Sequence, residues 1–176
     1  MYSGTEKIVL LGYMGAGKTT VGKALAEKLN RSFIDLDDFI CAKENQSISD
    51  LFTQKGEEHF RQLEEQYLKD IINSEKAFVL ALGGGTPTIA GIMEYINAHT
   101  FSIYLAQEEK ILYNRLKPGD IERPLLSDLS QDLLAFYITG HLAERKPYYL
   151  KADLTILAQN QPVDKITQKI MSFVNV

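Results

Sequence analysis

The sequence predicts an α/β fold: a single three-layer α/β/α domain, residues 1–176, in which helices cover both faces of a parallel sheet. Three observations carry that expectation. Short apolar runs alternate with longer amphipathic ones along all 176 residues, as βα units do. The apolar runs are continuous rather than alternating, which is how strands buried on both faces read. Glycines and clustered acids fall just after those runs, where the carboxyl ends of parallel strands hold ligands.

Taken in order, Ile8-Val9-Leu10-Leu11 is the first strand, and Val21, Ala24, Leu25 and Leu29 then recur at helical spacing. Phe33 to Leu36 reads as a second strand, interrupted by Asp35. Phe60, Leu63, Tyr67 and Ile71 mark one face of a long helix, expected to start near Gly56. Phe78 to Leu82 is a third strand, and a helix is expected after Pro87, a residue suited to a first turn. Phe101 to Leu105 is a fourth strand, Gln107 to Leu116 a helix, and Lys117 to Ser127 a polar loop. Leu134, Ile138, His141 and Leu142 share a helix face. Leu154 to Leu157 is the fifth strand, and Val163 to Val174 closes the chain as a helix.

The chain is 45% apolar and 24% charged, with a net charge of −4, which gives no support to a nucleic-acid role. An acidic protein that binds an acidic ligand must concentrate positive charge locally, so individual arginines become informative. One cysteine, Cys41, excludes an internal disulfide. No apolar run approaches the ~18 residues of a membrane span, and Met1 to Lys7 lacks a secretory apolar region. A cytoplasmic protein is expected, with a monomer as the working state.

Gly12-Tyr13-Met14-Gly15-Ala16-Gly17-Lys18-Thr19 fits G-x-x-x-x-G-K-[ST] at every fixed position, between a strand and an amphipathic helix. Glycines let backbone N–H groups turn inward around a phosphate. The helix that begins here adds its positive dipole end. Lys18 supplies a charge to the β- and γ-phosphates, and the Thr19 hydroxyl is a hard ligand for Mg²⁺. The motif implies nucleoside triphosphate binding without choosing among kinase, ATPase and GTPase.

Asp35-Leu36-Asp37-Asp38 follows the second strand. In extended backbone Asp35 and Asp37 share a face, and Asp38 is expected to cap the next helix. The third strand ends in Gly83 and offers no acid, so Asp35 is the best carboxylate for the metal, reached through a water. Asp37 is placed to accept or orient a hydroxyl proton. Gly83-Gly84-Gly85 suggests close approach of a ligand to the backbone, with a sharp turn before Pro87 as the alternative. Arg145 continues an inward helix stripe and needs a carboxylate partner, from a ligand or from the protein. Arg61 lies beside Phe60, with a surface pair to Glu64 or Glu65 as its alternative role. Arg123 sits in a loop, about residues 117–127, punctuated like a lid, where an arginine can neutralise a transferring phosphoryl group. Arg115 is placed to stack on adenine, or is a solvated helix end.

Together these residues resemble the shikimate kinases. Gly12 to Thr20 is similar to that family's phosphate loop, which implies that Gly15, Ala16, Gly17, Lys18, Thr19 and Thr20 bind ATP. Asp35-Leu36-Asp37 resembles its D-x-D segment, whose first Asp serves magnesium and whose second binds substrate. Phe60-Arg61-Gln62-Leu63-Glu64 resembles its F-R-x-x-E helix, whose Arg holds the substrate carboxylate. Gly83-Gly84-Gly85 resembles the stretch whose middle glycine contacts substrate. Arg123-Pro124-Leu125-Leu126 resembles its lid motif, and Arg145-x-Pro147-x-Tyr149 its last substrate-binding segment. The resemblance implies a five-stranded parallel sheet in order 2-3-1-4-5, a substrate region over about 37–64, and an adenine wall near Gln159 to Pro162. It also implies transfer of the γ-phosphate of ATP to the 3-hydroxyl of shikimate, a step of chorismate and aromatic amino acid biosynthesis. The other readings are a kinase for another small metabolite, such as gluconate, and a non-catalytic nucleotide-binding module. A guanine-binding N-K-x-D motif is missing.

Overall fold

Ile8, Val9, Leu10 and Leu11 expose no surface, and the strand they form, β1 (Lys7–Leu11), is the middle strand of the sheet. The structure is a computed structural model that describes residues 6–74, 76–117 and 131–174. The other strands are β2 (Ser32–Asp35), β3 (Phe78–Ala81), β4 (Phe101–Ala106) and β5 (Leu154–Leu157). Their spatial order is β2-β3-β1-β4-β5, and every pairing is parallel, with Val9 opposite Leu80 on one side and Ser102 on the other. Successive strand side chains point to opposite faces. Because all of β3 and nearly all of β1 and β4 is buried, both faces are covered, as the continuous apolar runs predict. Each buried Leu or Ile in these strands is worth about 1.5–3 kcal/mol.

The helices are α1 (Lys18–Leu29), α2 (Leu36–Glu44), α3 (Ile48–Ser74), α4 (Ile92–His99), α5 (Glu109–Leu116), α6 (Gln131–Tyr149) and α7 (Val163–Met171). From β1 the chain crosses to β2, and from β3 it crosses over β1 to β4. The crevice therefore opens between the carboxyl ends of β1 and β3, at the reversal of strand order. Leu82 N–H donates to Leu10 C=O at 3.0 Å, so the two strands stay paired up to its edge.

Four expectations need correction. The long helix does not begin near Gly56. α3 starts at Ile48, and Gly56 (φ 82, ψ 170) breaks it internally. The start is set by Ser47 and Asp50, which exchange Ser47 Oγ–H to Asp50 carboxylate (2.6 Å) and Asp50 N–H to Ser47 Oγ (3.1 Å), a capping arrangement. Asp38 is not the cap of α2. Asp35 is, and its side chain accepts from Asp37 N–H at 3.2 Å. Asp35 and Asp37 consequently do not share an extended face, because β2 ends at Asp35 and Asp37 lies in the first turn of α2. Finally, Pro87 opens no α-helix. It lies in a 3-10 turn, Thr86–Thr88, and α4 follows Gly91.

Candidate active site

The phosphate loop leaves β1 at Gly12. Positive φ angles at Gly15 (80°) and Gly17 (98°) turn its backbone where L side chains are strained. α1 then starts with no side-chain cap, which leaves its first amides for an anion. A cleft of about 490 Å³ is lined by Gly15, Ala16, Gly17, Lys18, Thr19 and Thr20, with Arg115 and Gln161 across from them. Ala16 N–H closes the loop onto Tyr13 C=O at 3.1 Å. The Lys18 ammonium donates to the carbonyls of Gly12 (2.9 Å) and Tyr13 (3.1 Å). Arg115 bridges the far wall, donating to Gly15 C=O at 2.9 Å and Asn160 Oδ1 at 3.0 Å. That bridge joins the phosphate loop to the segment holding Gln159 and Asn160, both at positive φ.

The acids gather beside this loop. Thr19 Oγ–H donates to the Asp35 carboxylate at 2.9 Å, so one hydroxyl and one carboxylate lie together at the start of α1. This pair of hard oxygens fits Mg²⁺, which takes few protein ligands and keeps much of its water. Asp37 is half-buried. Desolvation, with Glu64 and Asp35 nearby, raises its pKa to about 6, against a smaller pull downward from Lys18. Glu64 is wholly buried. It is ion-paired with Arg61 and accepts the Thr86 hydroxyl at 2.5 Å.

The glycine triplet joins the two halves. A Cβ on Gly83 would fall 2.7 Å from Glu64 Oε1 and 2.9 Å from Asp37 Oδ1; the missing side chain is the room those carboxylates occupy. A Cβ on Gly84 would lie 3.3 Å from the Arg145 guanidinium, 3.5 Å from Met14 N and 3.7 Å from Gly12 O. One on Gly85 would overlap the Arg61 guanidinium, 2.6 Å from its Cζ. Adjacent glycines of the triplet therefore meet the two arginines, Gly84 meeting Arg145 and Gly85 meeting Arg61, and Gly84 also touches the phosphate loop.

Arg61 also pairs with Glu57 at 2.9 Å. Burial alone would lower its pKa, but Glu64 and Glu57 outweigh that and hold it above the usual arginine value. The expected surface partner Glu65 turns instead to Lys69, at 2.6 Å. Among the described residues Arg145 forms no ion pair with a carboxylate. Arg123, and the lid stretch 117–127 beyond Lys117, lie outside the described residues. Glu64 and Thr86 had not been singled out from sequence as parts of the site. The F-R-x-x-E spacing was the available signal for Glu64, since i and i+3 are neighbours on a helix.

A family model described as Shikimate kinase matches residues 14–175. The chain is 39% identical over 166 residues to the shikimate kinase of Azobacteroides pseudotrichonymphae, covering 94% of this chain and 98% of that one. Among solved structures it is similar to the Bacteroides thetaiotaomicron shikimate kinase, with TM-score 0.88, 35% identity, and 95% and 97% of the two chains covered. It is also similar to Acinetobacter baumannii shikimate kinase in complex with shikimate, with TM-score 0.87, 35% identity, and 96% and 92% covered.

Proposed function

The chain belongs to the shikimate kinase family, and from that premise we infer what its crevice does. It transfers the γ-phosphate of ATP to the 3-hydroxyl of shikimate, giving shikimate 3-phosphate and ADP, within aromatic amino acid biosynthesis. The geometry of the described residues supports the following roles. The uncapped start of α1 and the phosphate loop grip the nucleotide phosphates, and Lys18 moves from the loop carbonyls to the β- and γ-oxygens. Arg115 and the Gln159 to Pro162 segment form the adenine wall. Thr19 and Asp35 would hold Mg²⁺, which when bound neutralises phosphate charge.

Arg61 and Arg145 take the shikimate carboxylate, Gly84 offers its backbone, and Gly83 keeps the space open for Asp37. A carboxyl titrating near 6 is ionised at neutral pH yet basic enough to receive the acceptor proton. As the hydroxyl oxygen bonds to the γ-phosphorus, its proton passes to Asp37. The bond to the bridging β-γ oxygen breaks, and ADP departs. Arg123 carries the lid role implied by the resemblance, and Arg123→Ala is expected to lower turnover with the fold intact. We take the protein to be a single-domain cytoplasmic monomer, with a lid near 117–127 and a substrate region near 37–64. Among the described residues no helix is long and apolar enough to cross a membrane.

The observation that carries this reading is the glycine triplet, which sets two arginines and two acids against the phosphate loop. Coupled ADP release with shikimate, quinate and gluconate as acceptors tests it. Shikimate should be preferred; preference for gluconate would overturn the acceptor, and no turnover with any of them would favour a non-catalytic nucleotide-binding module.

A further inference from the structure

His141, Arg145 and Tyr149 stand four residues apart on α6 and so share one face. At its end this face is fastened by a buried hydroxyl. Tyr149 exposes no surface, and its ring packs on Tyr104 with centroids 5.1 Å apart. Its O–H donates to Gly84 C=O at 2.6 Å, and the Arg145 side chain lies beside the same hydroxyl, opposing the rise in its pKa. The buried phenol thus has the hydrogen-bond partner its O–H requires. Burial raises its pKa to about 12, so it stays a neutral donor wherever the enzyme works.

The place of this contact matters. Gly84 is the glycine that lies against both Arg145 and the phosphate loop. Pro147 lies inside the last turn of α6 and supplies no backbone N–H there, so one rung of the helix ladder next to Arg145 is missing. One turn earlier, His141 Nδ1 meets the hydroxyl of Tyr13 in the phosphate loop at 3.1 Å. Arg145 is therefore bracketed on its helix face by two side-chain hydrogen bonds, at His141 and at Tyr149, and the second ends on Gly84, the glycine that Arg145 lies against.

We propose that Tyr149 is a positioning residue for acceptor recognition: its hydroxyl locks the Arg145 guanidinium to the Gly84 peptide, so that clamp and glycine backbone meet the acceptor in one fixed geometry. The proposal rests on the reading of Arg145 as a carboxylate clamp. Tyr149→Phe keeps the ring on Tyr104 and removes only the hydroxyl. It leaves Gly84 C=O without its donor and removes the hydroxyl beside the Arg145 side chain.

The test is steady-state kinetics on the full chain, with ATP and shikimate as substrates, for Tyr149→Phe, Arg145→Ala and the double variant. Loss of one neutral hydrogen bond, from Tyr149 to Gly84 C=O, predicts a rise of about three- to tenfold in the shikimate KM. The ATP KM and kcat should stay within about twofold of wild type by the same reasoning, since neither depends on that bond. A purely structural defect would instead reduce the active fraction, lowering kcat and leaving KM alone. In the Arg145→Ala background Tyr149→Phe should have almost no further effect, because it acts through Arg145. If Arg145→Ala raises the shikimate KM while Tyr149→Phe does not, or the two losses simply multiply, the proposal is wrong and the clamp stands. If Arg145→Ala itself leaves the shikimate KM unchanged, the clamp reading fails, and this proposal with it.

Discussion

Gly85→Ala moves Arg61 without deleting it. Gly85 has φ −93 and ψ −22, angles alanine adopts without strain, so the perturbation is the new methyl group alone. That methyl would sit 2.6 Å from Arg61 Cζ, where ordinary carbon contacts are about 3.5–4.0 Å. The guanidinium is the free end of a flexible side chain, so it must swing away by about 1 Å or more. The displaced group gives up a charge-assisted bond to the substrate, worth about 1.5–3 kcal/mol, which is roughly 10- to 150-fold in the shikimate KM. Glu64 loses part of its ion pair but keeps the Thr86 hydroxyl. The melting temperature should therefore fall by roughly 3–10 °C rather than the fold being lost. Coupled ADP release with each substrate varied in turn gives the KM values, and calorimetry the stability. Gly140→Ala is the control, because its new methyl meets nothing within 4 Å; it should leave both KM values unchanged. A folded Gly85→Ala protein with a wild-type shikimate KM would refute Arg61 as a clamp.

The raised pKa of Asp37, about 6, predicts that kcat/KM falls with unit slope as pH drops through about 6; a flat profile down to pH 5 would remove Asp37 as the base. The same shift has a stability sign. Its folded pKa lies above the unfolded value of 3.8, so the native state holds the proton more tightly. The protonated form stabilises the fold at low pH, and that benefit is lost as pH rises from about 4 through 6. Asp37→Asn should accordingly gain about 1–3 kcal/mol at pH 8 in urea unfolding while turnover disappears. Glu57, 66% exposed, pairs with the Arg61 nitrogen opposite Glu64 and competes with a substrate carboxylate for it. Exposed pairs of this kind are worth about 0.2–1 kcal/mol, so Glu57→Gln should lower the shikimate KM by up to about fivefold, and a raised KM would show that Glu57 positions Arg61 instead. Thr19→Ala should move the half-saturating Mg²⁺ concentration upward without changing the shikimate KM; an unchanged Mg²⁺ curve would take Thr19 out of the metal site.

Much of the architecture was legible because its signals are local. Continuous apolar runs become strands buried on both faces, and a glycine-rich motif between strand and helix becomes the phosphate loop. What the pattern missed depends on what lies across space. Gly56 looked like a helix start, whereas Ser47 and Asp50 close a cap nine residues earlier, and Leu51 and Phe60 are buried on either side of the break. Asp38 looked like the cap because the strand was read one residue too long. Glu64 reads as a surface partner of Arg61 on spacing alone. Its spacing from Phe60 and Tyr67 does put it on the inward face, but the space beside Gly83 that admits its carboxylate has no mark in helix periodicity. Tyr149 bonds a backbone carbonyl, and a carbonyl leaves no mark in sequence.

The central claim is that the phosphate-gripping loop and a two-arginine carboxylate clamp open into one crevice. The most direct measurement is kcat/KM for shikimate against its methyl ester, which keeps the ring and hydroxyls but removes the charge. Leaving two half-buried arginines without their carboxylate predicts a loss of at least about thirtyfold for the ester. Equal kcat/KM for the two compounds would contradict the clamp.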